Sequence, residues 1–127
     1  MQDRPTATEL LDALGAFLFT DVRDWVPRDR RFQILVAANL CAVVGRELRA
    51  GPAPSLADVT LFRSILEVEG PTPEPEHAEA EAREAAGELA WAIRHGKLDA
   101  EIESVARRLR EHVRRKLDIA RPGYAGE

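Results

Sequence analysis

Residues 30–49 read Arg-Arg-Phe-Gln-Ile-Leu-Val-Ala-Ala-Asn-Leu-Cys-Ala-Val-Val-Gly-Arg-Glu-Leu-Arg, and Ala50-Gly51-Pro52 follow. The run from Ile34 to Val44 is eleven residues long and is interrupted only by Asn39. Crossing a bilayer takes about 20 apolar residues, so this stretch reads as a helix of a soluble core. Gly51 suits the left-handed position after a helix, and Pro52 forbids continuation. From Phe32 to Leu48 the helix is apolar on almost every side, which predicts the most buried helix of the molecule, with the others packed around it.

The flanking sequence is also helical. Alternating apolar and polar runs are missing, and alanine, leucine, glutamate and arginine dominate. Thr6 and Glu9 form a capping box after Pro5. It opens a first helix whose stripe is Leu10, Leu11, Leu14, Phe17, Leu18, Val22 and Trp25, up to Pro27. Gly15 inside that stripe costs about 1 kcal/mol relative to alanine, which predicts close approach of another helix. Ser55 and Asp58 open a short third helix through Leu56, Val59, Phe62, Ile65 and Leu66. Gly70-Pro71-Thr72-Pro73-Glu74-Pro75 is a turn-rich linker, too short to separate domains. A fourth helix, from about His77 to His95, has an alanine-rich seam at Ala78, Ala82, Ala85, Leu89 and Ile93, and Gly96 stops it. Asp99 caps a fifth, with the seam Ile102, Val105, Leu109, Val113 and Leu117. The expected fold is all-α, a compact antiparallel bundle of about five helices, four long and one short. The expected organisation is a single helical domain over residues 1–127.

Composition bounds the function without naming it. With 45% hydrophobic and 31% charged residues, a packed core is within reach and a disordered chain is excluded. A single cysteine, Cys41, rules out an internal disulfide and fits a reducing cytoplasm. The N-terminus has no charged region leading into an apolar one, as a signal peptide would. Net charge is −4, but residues 67–103 carry eleven acidic and three basic side chains, whereas 104–127 carry seven basic and three acidic ones. Mutual neutralisation across a pair of neighbouring helices is expected from that contrast. The sharper alternative, a basic nucleic-acid face at Arg107, Arg108, Arg110, Arg114 and Arg115, lacks interleaved aromatic residues for base stacking.

Candidate sites are few. Arg28, Arg30 and Arg31 place cations at a helix N-terminus, against the macrodipole. Either Asp21, Asp24 and Asp29 pair with them, or they receive an anionic ligand or a partner's carboxylate. Asn39, within the apolar helix, is read as a buried amide, serving either a structural hydrogen bond or a small-molecule pocket. Cys41 is expected to be an inert core residue, with no histidine near it in sequence. His77, Glu81, Glu84 and Glu88 form a solvated acidic face; Glu74 and His77 have a metal-ligand spacing, but Pro75 lies within it. His95 sits at a helix C-terminus, and His112 is assigned to the exposed arginine-rich side of the fifth helix. Trp91 lies off the main seam, either exposed as an interface anchor or buried between neighbours. The chain has no P-loop, glycine-rich nucleotide turn, nucleophile elbow or zinc spacing, so neither cofactor, metal nor catalytic residue is assigned.

Three stretches resemble a family of small uncharacterised bacterial proteins. They are Gln2-Asp3-Arg4-Pro5-Thr6-Ala7 with Glu9-Leu10-Leu11, Arg31-Phe32 through Ala37-Ala38-Asn39, and Lys116-Leu117-Asp118-Ile119-Ala120-Arg121-Pro122. The resemblance implies a helical domain encoded beside aminoglycoside-phosphotransferase-like kinases and acyl-CoA dehydrogenases. By association it implies an accessory role in acyl or small-molecule catabolism. It supplies no catalytic residues, and the family's asparagine near Arg121 is absent here. It also suggests that Gln2 to Pro5 joins Arg31, Phe32 and Asn39 in a recognition surface, or clamps the N-terminus onto the second helix through Asp3 or Arg4.

The leading expectation is therefore a non-enzymatic accessory module that docks on a partner enzyme, kinase-like or acyl-CoA dehydrogenase-like, through Trp91 or the Arg28–Arg31 cluster. It predicts a contiguous exposed apolar patch. The alternative is a binding protein or enzyme subunit with an anion pocket near Arg30, Arg31 and Asn39, and the third is a nucleic-acid-binding module. No membrane partner is expected, and a homodimer stays open.

Overall fold

Thr6 starts the first helix as its spacing with Glu9 requires. Its hydroxyl accepts from the Glu9 N–H, and the Glu9 carboxylate accepts from the Thr6 N–H at 2.7 Å. The computed structural model describes residues 3–124, all helix, turn and loop with no strand among them. The elements are α1 (Ala7–Phe17), a π-helical turn (Leu18–Val22), α2 (Arg23–Trp25), a 3₁₀ turn (Arg28–Arg30), α3 (Arg31–Ala50), α4 (Ala53–Leu66), α5 (Ala78–Arg94), a second 3₁₀ turn (Asp99–Glu101) and α6 (Ile102–Ala120). No helix among them is long and apolar enough to cross a membrane. The chain forms two compact units: the part up to Ala50 with Ile119–Arg121, and Gly51–Asp118 with the segment from Pro122.

In the first unit, α1 runs antiparallel to α3. Asp12 pairs with Arg49, Gly45 lies beside Leu11, and Gly15 lies against Ala38 and Cys41. A Cβ at Gly15 would sit 3.3 Å from Cys41 Cβ and 3.4 Å from the Ala38 carbonyl oxygen, which is the close approach expected from the sequence. Arg46 donates to the carbonyls of Ile119 and Ala120, satisfying oxygens that a helix end leaves without an internal partner. Gly51, at φ +57°, takes the left-handed position after α3.

Burial in this unit departs from expectation. α3 is not the most buried helix: only Ala38 and Gly45 are buried, while Phe32, Val36, Leu40, Val44 and Leu48 face solvent. One neighbouring helix covers one face, and an all-round apolar helix has further faces to cover. Asn39 is likewise exposed, so the buried-amide reading does not hold. Along α1 and the π-helical turn the side turned toward α3 carries Leu11, Gly15, Leu18 and Val22, whereas Leu10, Leu14 and Phe17 are exposed. The π-helical turn adds a residue to one turn and rotates the residues after it. Trp25 therefore leaves the stripe, is 69% exposed, and packs edge-on against Phe17 at 5.5 Å.

The second unit holds a true core. Phe62 and Ile65 of α4, Ala85 and Leu89 of α5 and Val105 of α6 form one buried cluster, flanked by Leu61, Leu66, Ala86, Ile93, Leu98 and Leu109. The alanine seam of α5 is buried as expected, with Ala92 added. Gly96 follows α5 at φ +71°. Val113, however, is exposed, and His112 takes the inward position. Two caps also differ: neither Asp99 nor Ser55 bonds a helix start, α4 begins after Pro52, and a 3₁₀ turn leads into α6. The linker is pinned, because Arg63 donates to the Pro71 carbonyl at 2.8 Å and to Glu81 at 2.7 Å.

Gly15→Val inserts a branched side chain where Cβ alone already meets Cys41 and Ala38. Stability should fall by about 1–3 kcal/mol, read by chemical denaturation followed by far-UV circular dichroism.

Candidate functional site

Trp91 stands on the last turn of α5, 200° from Leu89 at 100° per residue. Since Leu89 is buried in the core, Trp91 projects outward and is 47% exposed. It is exposed without being loose. The His95 ring stacks on it at 4.1 Å and 24°, and the Lys97 ammonium lies 4.6 Å from the ring centroid. His95 Nδ1 in turn lies 2.8 Å from the Trp91 carbonyl oxygen, so helix end, imidazole and indole hold one another. Beside the indole is an apolar cleft lined by Leu66, Val68, Gly87, Ala92 and Lys97, with Glu88 at its rim.

The arginine group is dispersed by the structure. Arg28 and Arg30 are exposed on the 3₁₀ turn, and Arg31 is half-buried at the start of α3. Arg30 lies 3.8 Å from Asp29 and donates to Gln33 at 3.4 Å, both weak contacts. Asp24 pairs with Arg23 instead, and Asp21 accepts from Thr20. Arg31 Nε is buried with no protein acceptor. Asn39 is two helical turns further along and lines a separate groove with Leu11, Gly15, Phe19, Leu35, Ala38 and Ala42. The charged group lining that groove is Asp12, which disfavours an anion there. Arg30, Arg31 and Asn39 thus do not converge. The N-terminal segment is not with them either: Arg4 pairs with Glu9 at 3.8 Å, at the α1 end that faces the C-terminal end of α3, and Gln2 lies outside the described residues.

The second unit also has a buried polar centre that local sequence signals do not mark. Asp58, which reads in sequence as a helix-opening residue, is 9% exposed. In the fold Arg115 donates to its Oδ1 at 2.7 Å, and His112 Nδ1 lies 2.9 Å from the same oxygen without aligned hydrogen-bond geometry. Phe62 packs edge-on against the imidazole at 5.1 Å, and Glu111 lies 3.6 Å from Arg115. The expected neutralisation therefore runs from α6 to Asp58 of α4 and from α4 to Glu81 of α5; among the described residues no ion pair joins α5 to α6. In this centre the Arg115–Asp58 pair holds α6 to α4. Among the described residues no three His, Cys, Asp or Glu side chains lie close enough to hold a metal ion.

The fold and these sites define an all-helical domain whose accessible features are an anchored tryptophan, dispersed arginines and an apolar helix face. Residues 25–124 match the family described as a domain of unknown function, DUF6285, and the chain belongs to that family. No curated protein and no solved structure matches the chain.

Replacing Asp58 by alanine strands the Arg115 guanidinium. The loss should be about 2–3 kcal/mol, below the usual penalty for breaking a buried pair because the Arg115 side chain keeps 23% of its surface in water. Combining Asp58→Leu with Arg115→Met should recover most of it, as equilibrium denaturation would show.

Proposed function

We propose that the chain is a non-enzymatic accessory module that binds a partner enzyme, with Trp91 as the anchor of the contact. The observation that carries this reading is an indole exposed beside an apolar cleft yet held by its stack on His95 and by Lys97. Tryptophan is enriched among residues that dominate binding energy, and a side chain already ordered before contact loses little entropy on docking. The resemblance of the N-terminal and central stretches favours a phosphotransferase-like kinase, or an acyl-CoA dehydrogenase-like enzyme, acting in acyl or small-molecule catabolism. The lone Cys41 and that same resemblance favour the reducing cytoplasm of a bacterial cell.

The test is a pull-down of the tagged chain from its native host, with Trp91→Ala in parallel. Recovery of one such enzyme near stoichiometry is expected. Its affinity should fall about 30-fold or more in the variant, at unchanged helix content. Recovery of nothing above background, or equal recovery by both proteins, contradicts the reading.

A further inference from the structure

We infer that the cleft beside Trp91 receives a basic segment of the partner, seating one large apolar side chain over Gly87 with lysines or arginines on either side of it. This rests on the reading of Trp91 as a docking anchor and names the chemistry of what docks there. Gly87 lies four residues before Trp91 and two residues from both Ala85 and Leu89, which are buried in the core. At 100° per residue it shares a face with Trp91 and stands about 200° round the helix from each core residue, so it looks outward. A glycine inside a helix weakens it relative to alanine. Nothing within the chain asks for one here: the φ is not left-handed, and a Cβ would meet no atom within 4 Å. The missing side chain leaves a dent in α5, in a cleft walled by the indole, Leu66, Val68 and Ala92.

Charge selects the occupant. Residues 67–103 carry eleven acidic and three basic side chains, and the arginines of α6 do not offset them, because Arg115 is turned to Asp58 and Arg108 to Ser64. Within α5, Glu79 is paired with Arg83, and Glu81 with Arg63. Glu67, Glu69, Glu84 and Glu88 have no cation within 4 Å among the described residues. All four border the cleft. Glu84, Glu88 and Trp91 recur at i, i+4 and i+7, one stripe of the helix, and Glu67 and Glu69 flank Val68. Two cations stand at the C-terminal end of that stripe: Lys97 is drawn over the indole, and Arg94 Nε donates to the Ala90 carbonyl at 3.4 Å. Four carboxylates against two cations leave the rim negative. A neutral segment would take water from those carboxylates and return nothing, and an acidic one would add repulsion. A basic segment matches the rim while its apolar side chain fills the dent.

The test is selection of binders to the purified full chain from a library of random peptides displayed on phage. The binders should carry net positive charge around a large apolar residue, and their affinity should fall about tenfold or more for Trp91→Ala. Gly87→Leu, at a position with open space, should melt no lower than the natural chain yet bind about tenfold or more weakly. Glu84→Lys combined with Glu88→Lys should weaken binding several-fold and flatten its dependence on salt. Synthetic copies of the binders with lysine and arginine replaced by glutamate should regain affinity for that double variant. Neutral or acidic binders that still require Trp91 overturn the inference and leave the anchor reading standing. Basic binders indifferent to both Trp91→Ala and Gly87→Leu overturn the two together. Binders that tolerate Gly87→Leu alone, or the absence of any binder, also overturn the inference.

Discussion

An antiparallel pair of helices has one seam, and α3 carries more apolar surface than one seam can cover. Gly15 lets α1 approach α3 closely enough to make that seam tight, with Ala38 and Cys41 against it. Much of the apolar bulk is then left outside: Leu10, Leu14 and Phe17 on α1, and Phe32, Val36, Leu40, Val44 and Leu48 on α3. Each such side chain left in water forgoes about 1.5–3 kcal/mol relative to full burial. An isolated helix as short as α1, with 11 residues, is marginal in water, and helices in proteins owe most of their stability to packing, which α1 and α3 only partly provide. That imbalance makes the outward face of α3 the feature on which the stability of the first unit turns.

The second unit solves the same problem differently. Phe62, Ile65, Leu89 and Val105 meet in one cluster drawn from three helices, and the alanines of α5 let the backbones come near. Two ionic contacts set how the pieces meet. Arg63 ties the proline-rich linker and Glu81 to α4, and Arg115 ties α6 to Asp58. A buried carboxylate whose cation is removed is costly, so the Asp58 contact selects one register of α6 against α4 more than it adds net stability. With that centre committed to structure, Trp91 is the exposed, ordered group of this unit suited to contact another molecule.

Local signals in the sequence are legible where the chemistry is local. The Thr6–Glu9 box and the left-handed glycines at 51 and 96 rest on residues within a turn or two of one another, and the alanine seam of α5 and Gly15 announce close packing by side-chain size alone. Sidedness is not legible. The composition of α3 says that it is apolar all round, but which faces find a neighbour depends on how many helices reach it. Asp58 sits 57 residues from Arg115 and 54 from His112, and an acidic residue near a helix start has an ordinary local explanation, so nothing at short range marks it as buried. The π-helical turn, with the Thr20 hydroxyl donating to the Ala16 carbonyl at 2.8 Å, removes Trp25 from its stripe for a reason the periodicity does not encode. The Arg30, Arg31 and Asn39 grouping fails through distance along one helix, which the spacing itself already implies.

The most direct measurement is amide hydrogen exchange of the intact chain, resolved along the sequence. If one seam holds the first unit and a three-helix core the second, amides in residues 31–50 exchange faster than those in residues 53–66 and 78–94. Protection of α3 equal to or above that of α4 and α5 would contradict it.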